Sequence, residues 1–132
     1  MTRYYLDSSV VADVVLVEGR AAEWFDDLTG GPGTEIVSSR LLQTELTRTL
    51  RREGRPLHER AAVLDYFSFV PVTEQILITA EAITEHTKTL DAIHLASALA
   101  VGGDLVLASH DANMLRLAGL LGLTTVDPVT AA

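Results

Sequence analysis

Thr89-Leu90-Asp91-Ala92-Ile93-His94-Leu95-Ala96-Ser97-Ala98-Leu99-Ala100 reads as an almost wholly apolar helix whose opening turn carries a carboxylate. Thr89 is placed to cap it, and the free N–H groups and positive end of the helix favour an ionised Asp91 there. The body, Ile93 through Ala100, is expected to be buried. Gly102-Gly103-Asp104 then turns the chain into Leu105-Val106-Leu107-Ala108, the most strand-like run in the sequence. Ser109-His110-Asp111 caps a following helix from Met114 to Leu121. Helix, turn, strand and capped helix in succession set an α/β alternation, which implies a parallel sheet covered on both faces.

The rest of the chain repeats this rhythm. Arg3 to Leu6 is a short tyrosine-bearing strand, and Asp7-Ser8-Ser9 hands over to a helix from Val10 to Val17, despite the strand preference of its valines. Ala21 to Leu28 is a second helix, with Trp24, Phe25 and Leu28 on one side and Glu23, Asp26 and Asp27 on the other. It ends at Gly30-Gly31-Pro32-Gly33, which lacks the spacing and following lysine of a phosphate-cradling loop. Glu35 to Val37 forms a second strand. Ser38-Ser39 cap a long helix from Arg40 to about Glu53, with Leu41, Leu42, Leu46 and Leu50 on its buried side and Gly54 and Pro56 as its stop. Leu57 to Tyr66 is read as a helix, Phe67 to Val72 as a third strand containing Pro71, and Thr73-Glu74 as the start of a helix to His86. Thr124 to Val126 is the last strand before a tail from Pro128 to Ala132. The expectation is one domain over residues 1–132, a three-layer α/β/α sandwich.

Composition narrows the function. A chain of 132 residues with 48% hydrophobic and 21% charged content suits one globular domain. It has no cysteine, so disulfides and thiolate metal sites are excluded and any metal must be held by oxygen or imidazole. Met1-Thr2-Arg3 runs straight into the first strand with no apolar signal region, and no apolar run approaches a membrane span, so a cytoplasmic protein without a membrane partner is expected. The net charge of −8 argues, taken alone, against a nucleic-acid ligand. Its distribution complicates that. Between Arg40 and Arg60 six arginines face three glutamates, a local excess of three positive charges that leaves eleven negative ones elsewhere.

In open parallel sheets, ligands bind beyond the carboxyl ends of the strands, and that rule selects four acids. Asp7 ends the first strand, Asp111 follows the Leu105 to Ala108 strand, Asp91 opens the apolar helix, and Glu45 lies in the second turn of the helix after the second strand. Each also has a plain structural reading: Asp7, Asp91 and Asp111 as helix caps, Glu45 as a solvated partner of Arg48. Taken together, four carboxylates converging on one rim repel, and the usual remedy is a hard divalent cation, Mg²⁺ or Mn²⁺.

Four motifs in order, Tyr5-Leu6-Asp7-Ser8-Ser9, Thr44-Glu45-Leu46-Thr47-Arg48, Leu90-Asp91-Ala92-Ile93-His94-Leu95-Ala96-Ser97-Ala98 and Leu107-Ala108-Ser109-His110-Asp111, make the chain resemble a PIN domain, and more narrowly a VapC-type toxin of a bacterial toxin–antitoxin pair. The resemblance spans essentially the whole chain. It implies a five-stranded parallel sheet, a metal-dependent ribonuclease, a homodimer, and a small cognate antitoxin that occupies the active-site groove. Carried over by position, Asp7 and Asp91 match the principal metal-binding aspartates, Glu45 and Asp111 the other two acids, and Ser9 a small polar residue beside the first aspartate. The chain departs from the pattern at Ser109-His110, where a Thr or Tyr commonly precedes the last aspartate.

With no Ser-His-Asp or Cys-His pairing suggested, the expected nucleophile is a water activated by one ion or two, attacking an RNA phosphodiester in line. Arg48, Arg51, Arg52 and Arg55 could hold RNA phosphates, face the antitoxin or a second subunit, or lie in solvent. His94 is read as a packed histidine with a local hydrogen bond and His110 as an exposed loop residue. Three rival functions stand beside this one. A dehalogenase-type phosphotransfer enzyme wants a second acid where Ser9 stands. A receiver-type domain wants a lysine near the late strands, and the one lysine is Lys88. A PIN-like fold kept only for binding would be catalytically silent.

Overall fold

Residues 1–130 are described in a computed structural model, so the last two residues of the expected tail lie outside the described residues. The apolar runs form β1 (Thr2–Leu6), β2 (Thr34–Ser39), β3 (Phe67–Val70), β4 (Leu105–Ala108) and β5 (Thr124–Val126). They pair in parallel in the order β3-β2-β1-β4-β5, with Tyr5 opposite Val37 on one side and Leu107 on the other. Because side chains alternate along a strand, Leu6, Ile36 and Ala108 enter one core while Tyr5, Val37, Leu105 and Leu107 enter another.

Helices close both faces. α1 (Ser8–Leu16), α2 (Arg20–Gly30), α3 (Leu41–Arg52) and the single-turn α4 (Ala61–Leu64) bury Val10, Val11, Phe25, Leu42, Leu46, Leu50 and Leu64 against the first face. α6 (Thr89–Val101) and α7 (Ala112–Leu120) bury Leu95, Ala98, Met114 and Leu117 against the second, and α5 (Glu74–Glu81) packs on α6. The result is the expected three-layer α/β/α sandwich with a five-stranded parallel sheet. From β1 the chain winds outward to β2 and β3, then returns past β1 to lay down β4 and β5. The winding therefore reverses between β1 and β4, the place where such sheets open a crevice at their carboxyl ends.

Several element boundaries differ from expectation, each for a local reason. β3 stops at Val70 rather than Val72, since Pro71 has no N–H to continue a ladder. The stretch Leu57 to Tyr66 is a 3₁₀ turn, Leu57–Arg60, followed by α4. That turn is held by side chains: Arg60 bonds Thr47 on α3, and Arg55 donates to both carboxylate oxygens of Glu59. α5 ends at Glu81 instead of His86; Thr84, Glu85 and His86 are exposed, so another turn would bury no apolar face. Ser38 and Ser39 belong to β2, and α3 begins at Leu41, whose N–H is accepted by Ser39 Oγ at 3.1 Å.

The opening of α6 is also corrected. Lys88 occupies the cap position without a side-chain bond, and Thr89 is already helical. Ala100 is exposed and Leu90 is 45% exposed, so the buried body runs from Ala92 to Ala98 rather than to Ala100.

A candidate acidic site at the sheet switch point

β1 and β4 are laced together where they end. The Asp7 N–H donates to Ala108 O at 3.1 Å, and the His110 N–H donates to Ser9 Oγ at 3.0 Å. Ser9 Oγ in turn donates to Asp7 Oδ1 at 2.6 Å, which also accepts the Val10 N–H at 3.2 Å. Asp7 is thus the N-cap of α1, and only 3% of it is exposed. Asp111 repeats the device on α7, where its Oδ1 accepts the N–H groups of Asn113 and Met114 at 2.8 and 3.1 Å. Cap and ligand are therefore compatible roles. Both aspartates place their capping bonds on Oδ1, which leaves Oδ2 for something else.

Asp91 stands in the first turn of α6, half-buried. Burial raises its carboxyl above the ordinary aspartate range, and the negative charges of Asp111 and Asp7 raise it further, against smaller opposing effects from His94 and Lys88. Asp91 thus lies within the field of two acids from two other segments. The three do not enclose an ion as they stand: among the described residues no three His, Asp or Glu side chains form a ready-made metal cage.

Glu45 has a partner of its own. It lies between buried Leu42 and Leu46 on α3, and its Oε1 is 2.6 Å from His94 Nε2 on α6. The His94 ring is fully buried, and its Nδ1 lies 2.7 Å from the Tyr5 hydroxyl. That oxygen accepts the Ser39 N–H at 3.1 Å, and burial pushes the phenol far above its ordinary range, so it stays protonated. These bonds join α6 to β1, β2 and α3. The local hydrogen bond expected for His94 is replaced by two long-range ones, for which Tyr5, a side chain with a polar tip in β1, was the available signal.

His110 is likewise not a free loop residue. Its ring is 21% exposed, its Nδ1 is hydrogen-bonded to Asp127 Oδ1 at 2.7 Å, and its Nε2 lies 3.1 Å from Asp13 Oδ2 at an angle that makes no hydrogen bond. Beside the acids, Arg40, Gln43, Thr44, Thr47, Arg48 and Arg60 line a basic groove along α3, and Arg48, Arg51 and Arg52 line the next. Arg48, Arg51 and Arg52 are thus on the exposed side of the helix that carries Glu45. Among the described residues no helix is long and apolar enough to cross a membrane.

Comparison with known proteins agrees with this layout. A family model described as PIN domain matches residues 4–120. No curated protein matches the chain. Among solved structures, a toxin-antitoxin complex from Klebsiella pneumoniae is similar at a TM-score of 0.69 with 21% identity, covering 95% of this chain and 97% of that one. VapBC2 from Rickettsia felis, bound to a DNA fragment from its promoter, is similar at 0.70 with 12% identity, covering 95% and 98%. FitAB bound to a DNA fragment is similar at 0.64 with 15% identity, covering 95% and 94%. At these identities the structural likeness speaks for the fold.

Proposed function

The chain belongs to the PIN domain family, and from that premise we propose that it is a divalent-metal-dependent endoribonuclease, the toxin of a type II toxin–antitoxin pair. The observation that carries this reading is the placement of Asp7, Asp91 and Asp111, from three segments, at the switch point of the sheet, where burial and then the charges of Asp111 and Asp7 raise the Asp91 carboxyl. Uncompensated negative charge gathered at a ligand crevice is what a hard cation neutralises, and an all-carboxylate donor set suits Mg²⁺ or Mn²⁺. Asp7, Asp91 and Asp111, with Glu45, would hold it. When bound, such an ion supplies an acidified water and charge stabilisation for in-line attack on a phosphodiester.

The chain's own residues do the rest. Ser9 and the α1 N–H groups fix Asp7 Oδ1, the α7 N–H groups fix Asp111 Oδ1, and the apolar body of α6 fixes where Asp91 stands. Arg48, three residues after Glu45 on α3, offers a cation to the RNA phosphates on either side of the scissile bond. The toxin assignment draws on the neighbours whose structures are toxin–antitoxin complexes. It brings with it a cognate antitoxin in the acidic groove, a homodimer and a cytoplasmic setting.

The test is cleavage of RNA by the purified protein with Mg²⁺ or Mn²⁺, against an EDTA control and the Asp7→Asn and Asp91→Asn variants. Cleavage that requires metal and is lost in both variants is expected. Cleavage that survives EDTA or both substitutions refutes the proposal, and no cleavage at saturating metal leaves the catalytically silent binding domain in its place.

A further inference from the structure

We propose that His94 is the positioning residue of Glu45, with Tyr5 setting which ring nitrogen carries the proton so that Nε2–H donates to the Glu45 carboxylate. The role in cleavage rests on the ribonuclease reading; the hydrogen-bond chain does not.

The proton order follows from the buried end outward. Tyr5 Oη already accepts the Ser39 N–H, and it has one proton to give. The Ser38 and Ser97 hydroxyls donate to Leu6 O and Ile93 O, each at 2.7 Å, and among the described residues the hydrogen-bond partners of Tyr5 Oη are the Ser39 N–H and His94 Nδ1. His94 Nδ1, also at 2.7 Å, is the acceptor in line for the phenolic proton. The ring then carries its hydrogen on Nε2, and the group 2.6 Å away from that nitrogen is Glu45 Oε1. Every link in this chain is a donor facing an acceptor, from Ser39 N–H through Tyr5 and His94 to Glu45.

The consequence is mechanical as well as electronic. Glu45 comes from α3 on one face of the sheet and His94 from α6 on the other, so the bond ties the two helical layers across the rim. α6 carries both a site acid, Asp91, and, one turn on at His94, the clamp on a second acid. With Oε1 committed to His94, Glu45 has Oε2 left for a cation. Removing the partner that orients a ligating carboxylate typically weakens metal affinity or activity by about 10–100-fold.

The experiment has two arms. In the metal-free wild-type protein, at a pH where the His94 ring is neutral, imidazole ¹⁵N and ¹H NMR should report the Nε2–H tautomer with Nδ1 as an acceptor; an Nδ1–H tautomer overturns the proposal. In the second arm, Mn²⁺ affinity and RNA cleavage are compared between His94→Gln, whose amide reaches the Nε2 position, and His94→Asn, whose amide does not. Gln should stay within about tenfold of wild type while Asn loses about 10–100-fold. Equal losses in both variants would mean a packing role and overturn the proposal. If no variant cleaves RNA and the wild type does not either, the ribonuclease reading fails while tautomer and Mn²⁺ affinity still decide the role of His94.

Discussion

Asp7 combines two jobs that a pair of substitutions separates. As the N-cap of α1 its Oδ1 accepts the Val10 N–H and the Ser9 hydroxyl. Asp7→Ala removes both acceptors in a site where only 3% of the residue is exposed. Loss of a cap costs about 1 kcal/mol, and loss of the acceptor for a half-buried hydroxyl adds about another. The sum, about 2 kcal/mol, corresponds to a fall in Tm on the order of 8 °C for a domain of this size. Asp7→Asn keeps an oxygen in the capping position, since Asn caps as well as Asp, and it removes a negative charge that faces Asp91. Its Tm should equal or exceed that of the wild type. Its cleavage of RNA should nevertheless fall by at least about a hundredfold, because a direct metal ligand should matter no less than the partners that merely orient one. Calorimetry and a cleavage assay on the same preparations give both numbers. If Asp7→Asn melts as low as Asp7→Ala, the capping role is refuted; if it cleaves like wild type, the ligand role is.

Asp91→Asn should raise Tm at pH 7. A carboxyl raised by folding binds its proton more tightly in the native state, so stability falls as pH rises from the unfolded value of 3.8 through the native one, and the full penalty stands above it. The advantage of the variant should therefore shrink as melts are taken down toward pH 4, and a constant advantage would contradict the sign. Millimolar Mg²⁺ should stabilise the wild type more than this variant in the same melts. Replacing Arg48 and Arg51 together with Ala should weaken RNA binding at low salt and reduce the slope of log affinity against log salt by about 0.7 for each phosphate left unneutralised; an unchanged slope would assign these arginines to another surface. Leu95→Ala, at a fully buried position in α6, should cost about 2–5 kcal/mol in denaturant melts, and a cost under about 1 kcal/mol would mean that α6 is not the post on which Asp91 stands.

The sheet was legible because its strands are short apolar runs bounded by glycine, proline and capping residues. Thr124 to Val126 and Leu105 to Ala108 lie where the pattern places them, and the caps at Asp7 and Asp111 form as read. The position of Asp7 was legible for a related reason, since it is the residue that follows β1, at the carboxyl end of the sheet. Helix ends were less so. Pro71 ends β3 because it lacks a donor, and Thr84 to His86 fall out of α5 because nothing there can be buried, facts that depend on what the rest of the chain offers to pack against. Least legible were the histidines. Local spacing says only that His94 follows Asp91 by one turn, whereas its partners Tyr5 and Glu45 arrive from other layers of the sandwich. His110 is caught between Asp13 and Asp127 in the same way.

If the carboxylates at the switch point hold the cation on which RNA cleavage depends, anomalous diffraction from crystals soaked in Mn²⁺ tests it most directly. An anomalous peak is expected within coordination distance of Asp7 Oδ2 and the Asp91 and Asp111 carboxylates, and it should be absent in crystals of Asp91→Asn. A site free of manganese at millimolar concentration, or manganese bound away from these three residues, would contradict the metal-centred mechanism.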